Sequence, residues 1–247
     1  MRTVDYDLVA AAYDKRYERN RYDGVQACLH RFVGAGGDIE VVEIGCGTGH
    51  WLADLHGRVR TVAGLDLSSA MLRRARTAAP SAYIVRGRAE QLPWASSSFD
   101  RMFCINALHH FTDRDAFMLD ARRVLRPGGG ILIVGLDPHT GLDSWWIYEY
   151  FPAALQADLA RFPPAAALRA QLRAAGFSEP VTELAQHIPA AVPFAAAVES
   201  GIVDRHATSG LMVLSDAEYE EGLQRLRADQ PILRADLRLY ATVATVS

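Results

Sequence analysis

Lysine is almost missing from this chain. Lys15 is the only one in 247 residues, against 25 arginines. With the abundant alanine, that reads as the coding bias of a GC-rich bacterial genome, not as function. Cysteine is also scarce. Cys28, Cys46 and Cys104 make no even disulfide set and have no metal-ligand spacing, so no metal and a reducing cytoplasm are expected. No apolar run reaches the roughly 18 residues that span a bilayer. The opening MRTVDYDLVAAAYDKRY carries acidic residues and lacks an apolar stretch followed by a cleavage site, so no signal peptide is expected. No basic cluster stands out and the net charge is −3, which disfavours nucleic acid as a partner. What remains is ordinary globular composition, 50% hydrophobic and 22% charged, and enough length for one buried α/β domain with an appendage.

What is present is a strand-and-glycine pattern. The apolar run Val41-Val42-Glu43-Ile44 ends in Gly45-Cys46-Gly47-Thr48-Gly49, and a second run ends in Asp66 about 20 residues later. Glycines let a backbone turn sharply and approach a ligand. A carboxylate at the tip of the next strand can accept both hydroxyl hydrogens of a ribose. The dinucleotide fingerprint G-x-G-x-x-G is not met, because His50 stands where its third glycine would be.

The chain then alternates. Strands are expected near 39–45, 60–66, 82–86, 100–106 and 130–136. Helices are expected at 48–56, after Ser68 or Ser69 as N-cap, and at 113–125, where Arg126-Pro127-Gly128 stops the last one. Such alternation implies a parallel sheet with right-handed crossovers and ligands at the carboxyl ends of the strands. Residues 5–34 have helical periodicity. The C-terminal third is less regular, with an aromatic excursion at 137–164, a helix at 165–175, a short strand at 181–184, an inserted cap at 190–210, a helix at 216–228 and a last strand at 237–246.

Three further segments complete an ordered set: Gly87-Arg88-Ala89-Glu90-Gln91-Leu92-Pro93-Trp94, the strand Phe99 to Ile105 leaving through Asn106-Ala107-Leu108-His109-His110-Phe111, and Leu125-Arg126-Pro127-Gly128-Gly129-Gly130. Over about residues 37–137 this set resembles the class I S-adenosylmethionine (SAM)-dependent methyltransferases, with the likeness strongest to the small-molecule branch typified by ubiquinone/menaquinone enzymes. The resemblance implies a Rossmann-like α/β fold: a seven-stranded sheet, mostly parallel, with one antiparallel C-terminal strand, helices on both faces and a mainly helical substrate cap. One domain is expected over 1–247, with N-terminal cap helices at 1–36, the cofactor core at 37–137 and a C-terminal part with cap insertions at 138–247.

The resemblance also implies roles. Gly45, Cys46, Gly47 and Gly49 form the cofactor turn, and Asp66 with Leu67 holds the ribose. Glu43 lies near the methionine amino group, or else bonds the turn. Met71 faces the adenine or packs in the core. Arg88, Ala89 and Glu90 form the adenine end, where Arg88 departs from the family's usual acidic residue and offers no acceptor. The backbone near Asn106 receives the cofactor's amino group. Tyr13 and Arg21 come from a covering N-terminal segment. His109 and His110 are the candidate bases, with a structural hydrogen bond as the alternative. Tyr17, Trp145, Trp146 and Phe194 are expected at the substrate. The reading is a methyltransferase acting on an oxygen, nitrogen or carbon of a small apolar or aromatic acceptor, as a monomer or homodimer without membrane or metal. The alternatives are methylation of a peptide or RNA, and a SAM-binding protein that does not methylate.

Overall fold

Apolar runs of period two alternate with amphipathic stretches, and the chain winds them about one sheet. The computed structural model describes residues 6–8, 10, 13–14, 17, 20–34 and 37–246. A 3-10 turn at Tyr6–Leu8 and helix α1 (Asp23–Val33) precede the sheet. There follow β1 (Gly37–Ile44), α2 (His50–Asp54), β2 (Val59–Asp66), α3 (Ser69–Ala78), β3 (Tyr83–Arg86), β4 (Phe99–Ile105), α4 (Arg114–Val124) and β5 (Leu125–Leu136). Then come β6 (Ser144–Trp145), α5 (Trp146–Tyr150), α6 (Pro152–Arg161), α7 (Ala165–Ala174), β7 (Val181–Pro193), α8 (Phe194–Glu199), α9 (Ser209–Met212), α10 (Asp216–Asp229) and β8 (Ile232–Thr245).

Spatially the strands run β3-β2-β1-β4-β5-β8, with β7 on the far side of β8. Strands β1 to β5 are parallel and β8 enters antiparallel between β5 and β7. The seven strands expected from sequence are all there. The eighth, β6, is a two-residue strand paired to Asp236 and Ala235 of β8. Chain order reverses between β1 and β4, which opens a crevice at their carboxyl ends. Alternation assigns the two faces. Val42, Ile44, Met102, Cys104, Ile131 and Ile133 pack under α4 and α7. Val41, Phe103, Ile105, Leu132 and Val134 pack under α1, α2 and α3.

Helix starts follow their caps. Ser68 accepts from the Met71 N–H at 3.1 Å, Asp113 accepts from the Ala116 N–H at 2.9 Å, and Ser215 with Glu218 closes a capping box on α10. Boundaries differ from the sequence reading in two places. Helix α2 is only five residues long. Strand β5 begins at Leu125, which pairs with Phe99; the chain then bulges, with Gly128 at a φ of 74°, before Gly130 pairs with Arg101. Within 5–34 the described residues include the turn at Tyr6–Leu8 and helix α1; residues 5, 9, 11–12, 15–16 and 18–19 lie outside the described set.

The cap holds the expected helices, α5, α6, α8, α9 and α10, and adds one element that the sequence reading did not include. Strand β7 runs to Pro193 and β8 starts at Ile232, so their ladder continues past Leu136, the last β5 residue paired to β8. A two-stranded ribbon therefore stands above the carboxyl edge of the sheet. Pro189 and Pro193 read as strand breakers, yet β7 has no described partner beyond β8, and an edge strand accommodates proline.

Candidate active site

The glycine turn is built by backbone geometry. Gly45, Gly47 and Gly49 have φ of 77°, 52° and 84°, the left-handed region that side chains disfavour. Space adds a second reason at two of them. A Cβ on Gly45 would collide with the Ala107 Cβ, and one on Gly49 would lie 3.0 Å from the Ala75 Cα. The N–H groups of Gly45 and Cys46 both donate to the Leu65 carbonyl, at 2.7 and 3.0 Å, which ties the turn to β2. The Cys46 side chain is buried against Gly64, so this residue offers the site its backbone only.

Asp66 closes the turn from the tip of β2. Its Oδ2 accepts from the Gly47 N–H at 2.8 Å and its Oδ1 from the Ser68 N–H at 2.9 Å. Burial pushes this carboxyl up, and those N–H groups pull it back down. Beside it Leu67 is 56% exposed. On β1, Glu43 is 1% exposed and its Oε2 has no partner among the described residues. Burial first, and the Asp66 charge second, push the Glu43 carboxyl well above its ordinary value. Such an orphaned buried oxygen is costly unless a ligand or water meets it.

The loop after β4 supplies the other wall. Asn106 holds a φ of 53°, uncommon outside glycine, while its N–H donates to the Val134 carbonyl at 2.8 Å. The buried His109 stacks on Phe162 with ring centroids 4.0 Å apart. His110 hydrogen-bonds the Tyr6 hydroxyl at 2.6 Å. The N-terminal arm lies across this region. Asp7 accepts from the Ala70 N–H at 3.0 Å and from the Ser68 hydroxyl, and Asp14 accepts from Thr48 Oγ1 at 2.5 Å and pairs with Arg74. Tyr13 sits over the turn, its Cε1 3.7 Å from where a Gly47 Cβ would be. Met71 is 1% exposed and clusters with Ala10, Tyr6, Tyr13 and Met212.

A cavity of about 390 Å³ joins this wall to the cap. Its floor includes Tyr6, Tyr13, Asn106 and His109. One side is the ribbon, through the cross-strand pairs Ile188–Leu237, Ala190–Ala235 and Val192–Leu233, all on one face as period two requires. The rest of the lining brings Trp145, which pairs with Ala235 of the ribbon, and Trp146, Phe162, Met212 and the carboxylate-bearing Asp158.

The remaining sequence candidates fall elsewhere. Tyr17 stacks on His50, with centroids 3.7 Å apart and planes 5° from parallel, and does not line the cavity. Arg21 is exposed and pairs with Asp23 at 3.3 Å. Phe194 packs into the cap core rather than the cavity. At the adenine end Arg88 donates to Thr112 Oγ1 at 2.9 Å and pairs with Glu90, which itself accepts from the Thr112 N–H at 2.8 Å. Ala89 is buried beneath them. Sequence reasoning missed Tyr6, Asp7, Asp14, the ribbon and Asp158. Ala154, Asp158 and Arg161 share the buried face of α6, two charges where apolar residues belong, and only the fold shows that this face is buried. Among the described residues, no group of three or more His, Cys, Asp or Glu is placed to hold a metal, and no helix is long and apolar enough to cross a membrane.

A crevice at the β1/β4 reversal, a glycine turn and an acidic residue ending β2 define a nucleoside-binding α/β class, and the comparisons specify it. Residues 42–133 match the methyltransferase domain family. A fatty-acid O-methyltransferase of Mycolicibacterium smegmatis is 33% identical over 52% of this chain and 48% of its own. A malonyl-[acyl-carrier protein] O-methyltransferase of Erwinia pyrifoliae is 32% identical over 53% of this chain and 52% of its own. The chain thus spans about half the length of these curated relatives. In fold it is similar to a Haemonchus contortus phosphoethanolamine N-methyltransferase solved with S-adenosyl-L-methionine, at a TM-score of 0.64, 18% identity and coverage of 97% of this chain and 57% of that one. It is likewise similar to the [4+2]-cyclase SpnF, at a TM-score of 0.63, 19% identity and coverage of 98% and 94%. Over residues 42–133 the chain is thus similar to SAM-dependent methyltransferase domains.

Proposed function

We propose that the protein transfers a methyl group from SAM to an oxygen, nitrogen or carbon atom of a small, largely apolar acceptor. The observation that carries this is the shared cavity. Tyr13 and Asn106, beside the glycine turn, line the same space as the apolar ribbon and Trp145. An acceptor held there faces the cofactor end directly.

The residues present fit the cofactor. The unpartnered Glu43 oxygen suits an ammonium group, and the exposed Leu67 suits a ring that covers it. Each Asp66 oxygen accepts one N–H and keeps lone-pair capacity for a ribose hydroxyl. Arg88 and Glu90 engage Thr112 and each other, so adenine is recognised through backbone and packing near Ala89. When bound, the cofactor supplies a methyl on a positively charged sulfur. The chain's own work is to position the acceptor and exclude water, which the ribbon, Phe162 and the N-terminal arm do by walling the cavity.

Where the acceptor atom must lose a proton, His109 is the base, because it lines the cavity, while His110 is engaged by Tyr6 and acts in positioning. General-base help typically contributes about 10²–10⁴-fold. The test is turnover of labelled SAM to S-adenosylhomocysteine with a small-molecule extract as acceptor source. Binding of SAM without turnover favours a non-methylating role; label in RNA or protein favours a macromolecular acceptor.

A further inference from the structure

One corner of the cavity is polar and strongly constrained. Asp158 and Arg161 are each 2% exposed and form an ion pair one helical turn apart on α6. The Tyr148 hydroxyl donates to Asp158 Oδ2 at 2.9 Å. Arg161 Nε and Nη1 are buried with no partner among the described residues, and its charge lies 5.8 Å from the Phe162 ring centroid. Gly210 opens the corner. A Cβ there would sit 3.6 Å from Thr208 Oγ1, 3.8 Å from Trp145 and 3.9 Å from Asp158 Oδ2, so the missing side chain leaves a methyl-sized space beside this carboxylate oxygen. Gly210 and Asp158 both line the cavity.

A buried ion pair of this kind is poor evidence of stabilisation, since apolar residues of similar volume often serve as well. Its position on the cavity wall calls for another reason. A carboxylate is acceptor-only, with about four lone-pair sites, and here the protein donors found use two of them. Arg161 cancels its charge, so the corner as a whole is neutral. A neutral donor can add a hydrogen bond without bringing unpaired charge into a buried space. Asp158 lines the cavity and Arg161 does not, so a carboxylate would meet acceptor with acceptor there, and an ammonium would add an unbalanced charge.

We infer that Asp158 recognises a hydroxyl on the acceptor, so that the substrate class is an apolar alcohol or phenol seated with its hydroxyl at the Gly210 corner and its body against Trp145 and the β7–β8 ribbon. This rests on the proposed methyltransferase reading and names the acceptor chemistry of that cavity. Tyr148 and Arg161 are positioning residues that hold the carboxylate toward the opening. No sequence motif marks the site, because its parts come from α5, α6 and α9.

The test is calorimetric binding of three matched probes, 4-butylphenol, 4-butylbenzoate and butylbenzene, to the protein saturated with S-adenosylhomocysteine. Wild type is expected to bind the phenol about tenfold to a hundredfold more tightly than either other probe, the effect of one hydrogen bond to a charged group. Asp158→Asn should lose most of that preference while keeping its affinity for S-adenosylhomocysteine. Because Asp158→Asn leaves Arg161 buried without its counter-charge, Gly210→Ala provides the second arm. It crowds the corner with the ion pair intact, and should erode the same preference at an unchanged melting temperature. Wild type that binds the benzoate or butylbenzene as well as the phenol overturns the inference. So does an undiminished preference in the folded variants. Loss of S-adenosylhomocysteine binding in wild type would instead strike the methyltransferase reading, and the phenol preference would then be read on the cofactor-free protein.

Discussion

Glu43 and Asp66 carry the testable electrostatics of the site. Asp66→Ala is expected to weaken SAM binding about tenfold to several-hundredfold, because it removes hydrogen bonds to a charged group worth about 1.5–3 kcal/mol each. Calorimetry showing unchanged affinity would remove Asp66 from the ribose. Glu43 gives a pH signature. Its unfolded-chain value is near 4.5, and burial with the Asp66 charge raises it well above that in the fold. Between those two values the native state keeps a proton that the unfolded chain has released. This contribution to stability is therefore present below about pH 4.5 and is lost as pH rises through the folded value. Glu43→Gln removes the loss, so its melting temperature should gain on wild type as pH rises from about 4 to neutrality. A difference between the two proteins that does not change with pH would contradict the raised value. For catalysis, His109→Ala should cost about 10²–10⁴-fold in turnover of a proton-losing acceptor, and His110→Ala less. Full turnover and a flat pH–rate profile in His109→Ala would leave positioning alone as the catalyst.

Between elements, the glycine turn and the cap make different demands. Gly49 starts α2 in a left-handed conformation and touches the Ala75 backbone of α3. Gly49→Ala is therefore expected to cost about 2 kcal/mol or more, from the disfavoured φ and from pushing two helices apart. A chemical-denaturation midpoint equal to wild type would show that the turn can relax. In the cap, Trp145 lines the cavity and Phe194 packs behind it. Trp145→Leu should raise the acceptor KM and leave cofactor affinity intact, while Phe194→Ala should lower the melting temperature and leave that KM unchanged. The reverse assignment would place the substrate wall on α8. Sequence made the core elements legible because the inner halves of β1, β2, β4 and β5 are short, largely apolar runs with glycine, asparagine or acidic residues following them. It hid the ribbon. Ile188, Ala190 and Val192 alternate correctly, but Pro189, Pro193 and the alanines between them carry the signals of a loop.

For the molecule as a whole, chain order, motif order and fold agree, and the segments expected to form the cofactor half, from Gly45 to Asn106, stand together at the strand ends. The acceptor half could not. Its walls come from the N-terminal arm, the loop after β4, α5, α6, α9 and the ribbon, segments far apart in sequence and joined only by folding. Tyr17, Arg21 and Phe194 drew attention as aromatic or basic residues in the right segments, yet their side chains turn to His50, Asp23 and the cap core. Asp158 was hidden for the opposite reason, as one acidic residue among many whose burial depends on tertiary contacts. The account's central claim is SAM-dependent methylation of a small molecule, and one measurement tests it most directly. Purified protein is incubated with methyl-labelled SAM and a whole-cell extract, and label is then counted separately in the small-molecule, RNA and protein fractions. Label is expected in the small-molecule fraction, and less of it with Asp66→Ala at SAM concentrations below saturation. Label confined to RNA or protein, or no label above a protein-free control despite measured SAM binding, would contradict it.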